Sequence, residues 1–167
     1  KPTLISHMAA LETHAFPPNS LEAVKACLAA NMPHIEIDAV ALADADYLLV
    51  HNDTLDEETD VSGPTEQLTY QQARQLHIRH KAVVTGYSVP LLSDLVAVFA
   101  DHGGNSQLQI DFKNIVPFAN DEPFERLLRI VEPIQERVIV SSIADWQMRR
   151  LHALAPRLAI GFDVQFY

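Results

Sequence analysis

Short apolar runs that end on a carboxylate or a histidine recur along this chain, and helical patterns separate them. His34 to Asp38 closes on Glu36-Ile37-Asp38, and Leu108 to Lys113 closes on Asp111-Phe112-Lys113. Thr3 to His7 and Tyr47 to His51 each end on a histidine. A strand sends successive side chains to opposite faces. Glu36 and Asp38 therefore share one face, with Ile35 and Ile37 on the other. Asp111 and Lys113 share a face in the same way, opposite Ile110 and Phe112. Strands alternating with helices predict an α/β fold with a parallel sheet and helices outside it. Chemistry drawn from the C-terminal ends of several strands favours a barrel rim over an open sheet with one switch point.

The pattern predicts helices over Leu21 to Asn31 with Ser20 as N-cap, near Thr69, over Leu91 to His102 ended by Gly103-Gly104, over Asp121 to Gln135, and over Asp145 to Leu154. Further strands are expected at Arg137 to Ser141 and Leu158 to Phe162, making six in all. A long polar stretch runs from Asn52 to Pro90. One connection is short: eight residues separate Asp38 from Tyr47. That is too few for a crossover helix. A hairpin there would put His51 at the opposite end from Asp38. An extended return of roughly 26 Å would instead keep both strands parallel. Periodicity alone leaves both open.

Two carboxylates crowded on one strand face repel each other unless a positive charge lies between them. A hard divalent cation, which prefers oxygen ligands, is the simplest such charge. With His7 and His51 closing neighbouring runs, the expectation is a metal site flanked by two histidines. The net charge of -10 speaks against nucleic-acid backbone and anionic lipid as partners. The chain holds 167 residues, 48% of them apolar, which is enough for one domain with a substantial core. No run reaches the roughly 18 apolar residues of a membrane span, and no signal peptide is visible. Cys27 is the lone cysteine, which leans towards a reducing, cytoplasmic setting and leaves the oligomeric state open.

The order of these elements resembles the glycerophosphodiester phosphodiesterases along nearly the whole chain. His7-Met8-Ala9 stands at that family's His-Arg-Gly, and Pro17-Pro18-Asn19-Ser20 at its Pro-Glu-Asn-Thr. Glu36-Ile37-Asp38 matches Glu-x-Asp, and His51-Asn52-Asp53-Thr54-Leu55 matches its His-x-Asp element. Val89-Pro90-Leu91-Leu92 and Ile110-Asp111-Phe112-Lys113 resemble Ile-Pro-x-Leu and Ile-Glu-Ile-Lys. The resemblance implies a (β/α)8 TIM barrel with an insertion after the third strand, about Asn52 to Pro90. It also implies the parallel solution for the short connection. Glu36, Asp38 and Asp111 would hold Mg²⁺ or Ca²⁺, His7 and His51 would be the general acid/base pair, and Lys113 would hold phosphate. The substrate would be a small phospholipid-derived phosphodiester, cleaved to glycerol phosphate and an alcohol. A full barrel takes about 250 residues, so the expectation is a barrel incomplete at its C-terminus, with the last strands absent.

Four positions depart from the pattern. Met8 replaces an arginine that would grip phosphate through a bidentate fork. Ala9 replaces a glycine, Pro18 a glutamate, and Asp111 the longer Glu. An impaired member that binds a phosphorylated ligand or partner is therefore an alternative, as is a phospholipase-type lyase forming a cyclic phosphate. Elsewhere His14, His34, His77, His80, His102 and His152 are expected at the surface or at caps. Asp44 and Asp46 are expected in turns, Trp146 and Phe162 in packing, and Asp53 in ordering the loop after His51.

Overall fold

The computed structural model describes residues 4–11 and 15–163. The expected strand residue Thr3 and the loop residues Glu12 and His14 lie outside them. The first strand position is Ser6, bridged in parallel to Ile35 by Ser6 N–H to the His34 carbonyl and Glu36 N–H to the Ser6 carbonyl, both 2.9 Å. A 3-10 turn over His7–Ala9 follows, with Met8 and Ala9 at φ 53° and 52°. Then come α1 (Leu21–Ala29), β1 (His34–Ala41), β2 (Tyr47–Leu48), α2 (Tyr70–Ala73), β3 (His77–His80) and β4 (Val83–Ser88). The chain continues through α3 (Leu92–His102), β5 (Gln107–Phe112), α4 (Glu122–Val131), β6 (Val138–Ser142), α5 (Asp145–Leu154) and β7 (Ala159–Phe162).

Strands β1, β5, β6 and β7 are neighbours in that order, all parallel. Helices α3, α4 and α5 make the crossovers between them. This is the strand–helix repeat of a (β/α)8 barrel, with Ser6 and these four strands as consecutive positions. Each helix covers the sheet for a local reason. Ser20 caps α1, its Oγ accepting from Ala23 N–H at 3.1 Å. Val24 and Cys27 of α1, Leu95 and Phe99 of α3, and Phe124 and Leu127 of α4 are buried against Ile35, Ile37, Leu108 and Ile110. Each such large apolar side chain stabilises the fold by roughly 1.5–3 kcal/mol on burial. Phe112, Phe118 and Phe124 pack as an aromatic cluster beside Tyr47.

The short connection is a hairpin, not a parallel return. β2 runs antiparallel to β1, with Ala41 opposite Tyr47 and Val40 opposite Leu48. The expected strand at 34–38 extends to Ala41, so the hairpin lies beyond the carboxylates rather than replacing them. The chain then comes back down the edge of β1 that also carries Ser6. A rising segment ending at His7 and a descending one ending at His51 thus meet on one edge. That is why a hairpin does not send His51 to the wrong end of the barrel.

The excursion from Asn52 to Pro90 builds a second, smaller core from Val50, Leu55, Leu76, Ile78, Val89 and Leu91. Within it, Thr69 and Gln72 form a capping box on α2, where a short helix is expected. The β3–β4 hairpin is not anticipated by the sequence pattern. Its tip is Lys81-Ala82, both with positive φ (51° and 66°), where a two-residue turn more often carries Asn-Gly. Other expectations change too. Trp146 and Phe162 are half-exposed rather than packed. His34 is buried, its Nε2 3.1 Å from Gln109 Oε1. Asp46 is buried, bonded to Tyr47 N–H and, at 2.5 Å, to the Ser93 hydroxyl.

Candidate active site

The inner face of the sheet is polar because His34, Glu36 and Asp38 of β1 and Gln107, Gln109 and Asp111 of β5 alternate with apolar residues. Asp38 and Asp111 are direct parallel partners, and Glu36 sits opposite Gln109. Carboxylate oxygens of Glu36, Asp38 and Asp111 all lie within 4.8 Å of one another. The three residues are 5%, 0% and 6% exposed. Lys113, just past β5, reaches back with Nζ 2.5 Å from Asp111 Oδ2 and 2.9 Å from Asp38 Oδ1. The bond to Asp111 is well aligned; Asp38 Oδ1 remains a buried oxygen without a properly directed hydrogen bond.

The electrostatics follow from this crowding. Burial pushes the Glu36 carboxyl up to about 7, and repulsion from Asp38 and Asp111 adds to the shift, against the Met8 N–H and Lys113. Burial alone would lower the Lys113 ammonium, but its contacts with Asp111 and Asp38 outweigh that and hold it above its ordinary value. With all three carboxylates ionised, the one ammonium leaves two negative charges uncompensated. An all-oxygen donor set, buried, doubly negative and with one oxygen lacking a hydrogen bond, fits a hard divalent cation.

Met8 N–H donates to Glu36 Oε2 at 2.7 Å, and His7 Nε2 lies 3.9 Å from that oxygen. His7 and His51 line one cavity of about 400 Å³, together with Met8, Asn19 and Asn52. Both histidines are exposed. The His51 Nδ1 is 3.0 Å from Asn52 Oδ1. His7 thus joins the acid cluster, through Glu36, to the cavity that His51 lines. Lys113 is engaged by two of the carboxylates, Asp38 and Asp111.

Two residues of the site carry no assignment from sequence reasoning. Asn19 is buried at φ 56° and bonds Asp38 twice, Nδ2 to Oδ2 at 2.9 Å and Oδ1 to the Asp38 N–H at 3.2 Å. Its signal is its place in the Pro17-Pro18-Asn19-Ser20 element. Glu58 receives the N–H groups of His51 and Asn52 on its two oxygens, at 2.9 and 2.6 Å. It orders the loop after His51, the role expected of Asp53. Nothing in the polar stretch around Glu58 marks it.

Fold and site define an α/β barrel with a buried acidic centre. Residues 12–165 match the Glycerophosphoryl diester phosphodiesterase family, and the chain belongs to it. It is 26% identical over 153 residues to a glycerophosphodiester phosphodiesterase from Caldanaerobacter subterraneus subsp. tengcongensis, covering 89% of this chain and 62% of that protein. In fold it is similar to a protein from Galdieria sulphuraria assigned to the same enzymes, with TM-score 0.83, 23% identity, and 97% of this chain and 64% of that one covered. It is also similar to a phosphodiesterase from Oleispira antarctica in complex with the product sn-glycerol-3-phosphate, with TM-score 0.78, 20% identity, and 98% and 66% covered. The chain thus spans about three fifths of the length of the curated relatives it matches.

Proposed function

We propose that this chain carries the catalytic centre for metal-dependent hydrolysis of glycerophosphodiesters to glycerol phosphate and an alcohol. The observation that supports it is a cluster of three buried carboxylates whose Glu36 lies 3.9 Å from His7, a histidine that shares one cavity with His51. Family membership points the same way, as does the product bound to the Oleispira relative. Glu36, Asp38 and Asp111 would hold Mg²⁺ or Ca²⁺. Such a cation supplies charge that offsets the diester's own and polarises its phosphoryl oxygen. One histidine takes a proton from the attacking oxygen, and the other returns one to the leaving oxygen. Histidine suits both roles because its ordinary pKa lies near neutrality. With Nδ1 turned to Asn52, His51 keeps Nε2 for the transfer. Lys113 bridges Asp38 and Asp111 and can present its remaining donor capacity to a phosphoryl oxygen.

A second reading rests on Met8. Met8 lines the cavity and its side chain brings no charge to the reacting phosphoryl group, so on this reading a phosphorylated ligand would bind without turnover. Hydrolysis of glycerophosphocholine, with and without Mg²⁺ or Ca²⁺, decides between them. The first reading expects cation-dependent product and a loss of roughly 10²–10⁴-fold in His51→Ala. No product from any diester, with His51→Ala indistinguishable from the parent, leaves the second.

A further inference from the structure

We infer that the β3–β4 hairpin supplies this site with an oxyanion-binding group, Arg79, assisted by Lys81 at the hairpin tip. The inference rests on the proposed reaction and names a substrate-binding residue for it. Arg79 and Lys81 line the same cavity as His7 and His51, although some thirty residues separate them from His51 in sequence. Two bonds fix Arg79 relative to His51. Its N–H donates to the Glu58 carbonyl at 2.7 Å, and its Nε donates to the Thr59 carbonyl at 2.8 Å. The Glu58 carboxylate in turn holds the His51 and Asn52 N–H groups. The hairpin and the His51 loop are therefore one hydrogen-bonded unit.

Arginine has five N–H donors, and among the described residues only Nε of Arg79 is engaged by a side-chain hydrogen bond. Neither Arg79 nor Lys81 forms an ion pair among the described residues. Lys113, by contrast, is neutralised by Asp38 and Asp111. Glu57 and Glu58 also line the cavity. Glu58 is turned to backbone N–H groups, and Glu57 is exposed. The full positive charges left at this cavity to meet an anion are Arg79 and Lys81.

Backbone geometry supports a placement made for function. The β3–β4 register shifts between His77 and Arg79, and such bulges re-aim side chains beside active sites. Lys81 and Ala82 both sit in the left-handed region, which costs a non-glycine residue roughly 1–2 kcal/mol. Retained strain of this kind clusters at ligand sites. It turns the chain tightly enough to carry Lys81 to the cavity.

The oxyanion has two sources: the diester phosphate, or an acidic group on the alcohol arm. Kinetics of the metal-supplemented chain on glycerophosphocholine and glycerophosphoserine separate them, with sn-glycerol 3-phosphate affinity measured by calorimetry. The variants are Arg79→Gln, Arg79→Lys and Lys81→Ala. For a phosphate contact, Arg79→Gln lowers kcat/KM roughly 10- to 100-fold on both substrates, mainly through KM. It weakens glycerol phosphate binding to match, Arg79→Lys recovers part of the loss, and Lys81→Ala shows a smaller one. A loss confined to glycerophosphoserine assigns the oxyanion to the alcohol arm. Unchanged kinetics on both substrates with unchanged glycerol phosphate affinity overturns the inference. If the parent chain turns over no diester, the reaction proposed above fails, while the affinity comparison still decides whether Arg79 binds an oxyanion.

Discussion

Asn19 holds Asp38 at two points, donating from Nδ2 to the carboxylate at 2.9 Å and accepting the Asp38 N–H on Oδ1 at 3.2 Å. The Asn19 N–H also donates to the Met8 carbonyl at 2.8 Å, tying the His7 turn to the acidic centre. Groups that orient metal ligands typically contribute 10–100-fold to affinity. Asn19→Ala is expected to weaken Ca²⁺ or Mg²⁺ binding by roughly that factor in calorimetry. It should also cost about 1–3 kcal/mol of stability, because buried Asp38 loses a partner. Asn19→Gly separates the two causes. Glycine accepts φ 56° without strain but has no amide. The affinity loss should persist in Asn19→Gly; recovery there would show that backbone strain, not the amide, was responsible.

Glu58 positions His51 without itself meeting a reacting atom. Its two oxygens accept consecutive N–H groups, so the turn carrying the imidazole is pinned at two points. Glu58→Ala is expected to lower kcat roughly 10- to 100-fold, since small displacements of a catalytic group cost that much. Glu58→Gln keeps one acceptor and should lose less. Cation affinity should be unchanged in both, because Glu58 touches none of the three acids. A parallel fall in cation affinity and kcat would mean that the whole mouth had collapsed.

Glu36 sets a pH dependence whose sign can be worked out. Its folded-state pKa, about 7, lies above the ordinary 4.5. Between those values the folded chain retains a proton that the unfolded chain releases. Stability of the cation-free protein therefore falls as pH rises from about 4.5 to 7, and the full penalty stands above 7. A bound cation displaces that proton. Apparent cation affinity should drop about tenfold per pH unit below 7 from this group and level off above it. Thermal shifts with Ca²⁺ or Mg²⁺ between pH 5.5 and 8 test this. A shift equal across that range would show that Glu36 is not a ligand.

The parts of this site legible in the sequence are those carried by strand alternation. Glu36, Asp38, Asp111 and Lys113 share a face because of period two, and register then brings Asp38 beside Asp111. The hairpin after Asp38 was not decided by periodicity, because a strand pattern does not say where β1 ends. Three further residues, Ala39 to Ala41, reverse the inference about His51. Asn19 is marked only by its place in the Pro17-Pro18-Asn19-Ser20 element, and Glu58 and Arg79 are not marked at all. Glu58 acts through N–H groups six and seven residues earlier, Arg79 through carbonyls about twenty residues away, and side-chain pattern carries no record of such bonds. The Lys81-Ala82 turn hid the β3–β4 hairpin because neither residue signals positive φ.

The end of α3 offers a test of the scaffold that leaves the site untouched. Gly103 closes the helix, its N–H donating to the Phe99 carbonyl at 2.9 Å. A Cβ there would lie 2.3 Å from Arg137 Nη1 and 2.4 Å from the Phe99 carbonyl oxygen. Arg137 cannot simply withdraw. Its Nη2 donates to that same Phe99 carbonyl at 3.0 Å, its Nη1 to the Gly104 carbonyl at 3.1 Å, and its guanidinium packs over the Phe99 ring. Gly103→Ala must therefore break the Arg137 cap or shift the helix end, and overpacking of this kind costs about 1–3 kcal/mol. Denaturant melting should report that loss, with cation affinity unaffected. Arg137→Ala removes the flexible half of the clash but leaves the Phe99 carbonyl. The double variant should then fall short of the sum of the two single losses, and strict additivity would show that the two residues do not meet.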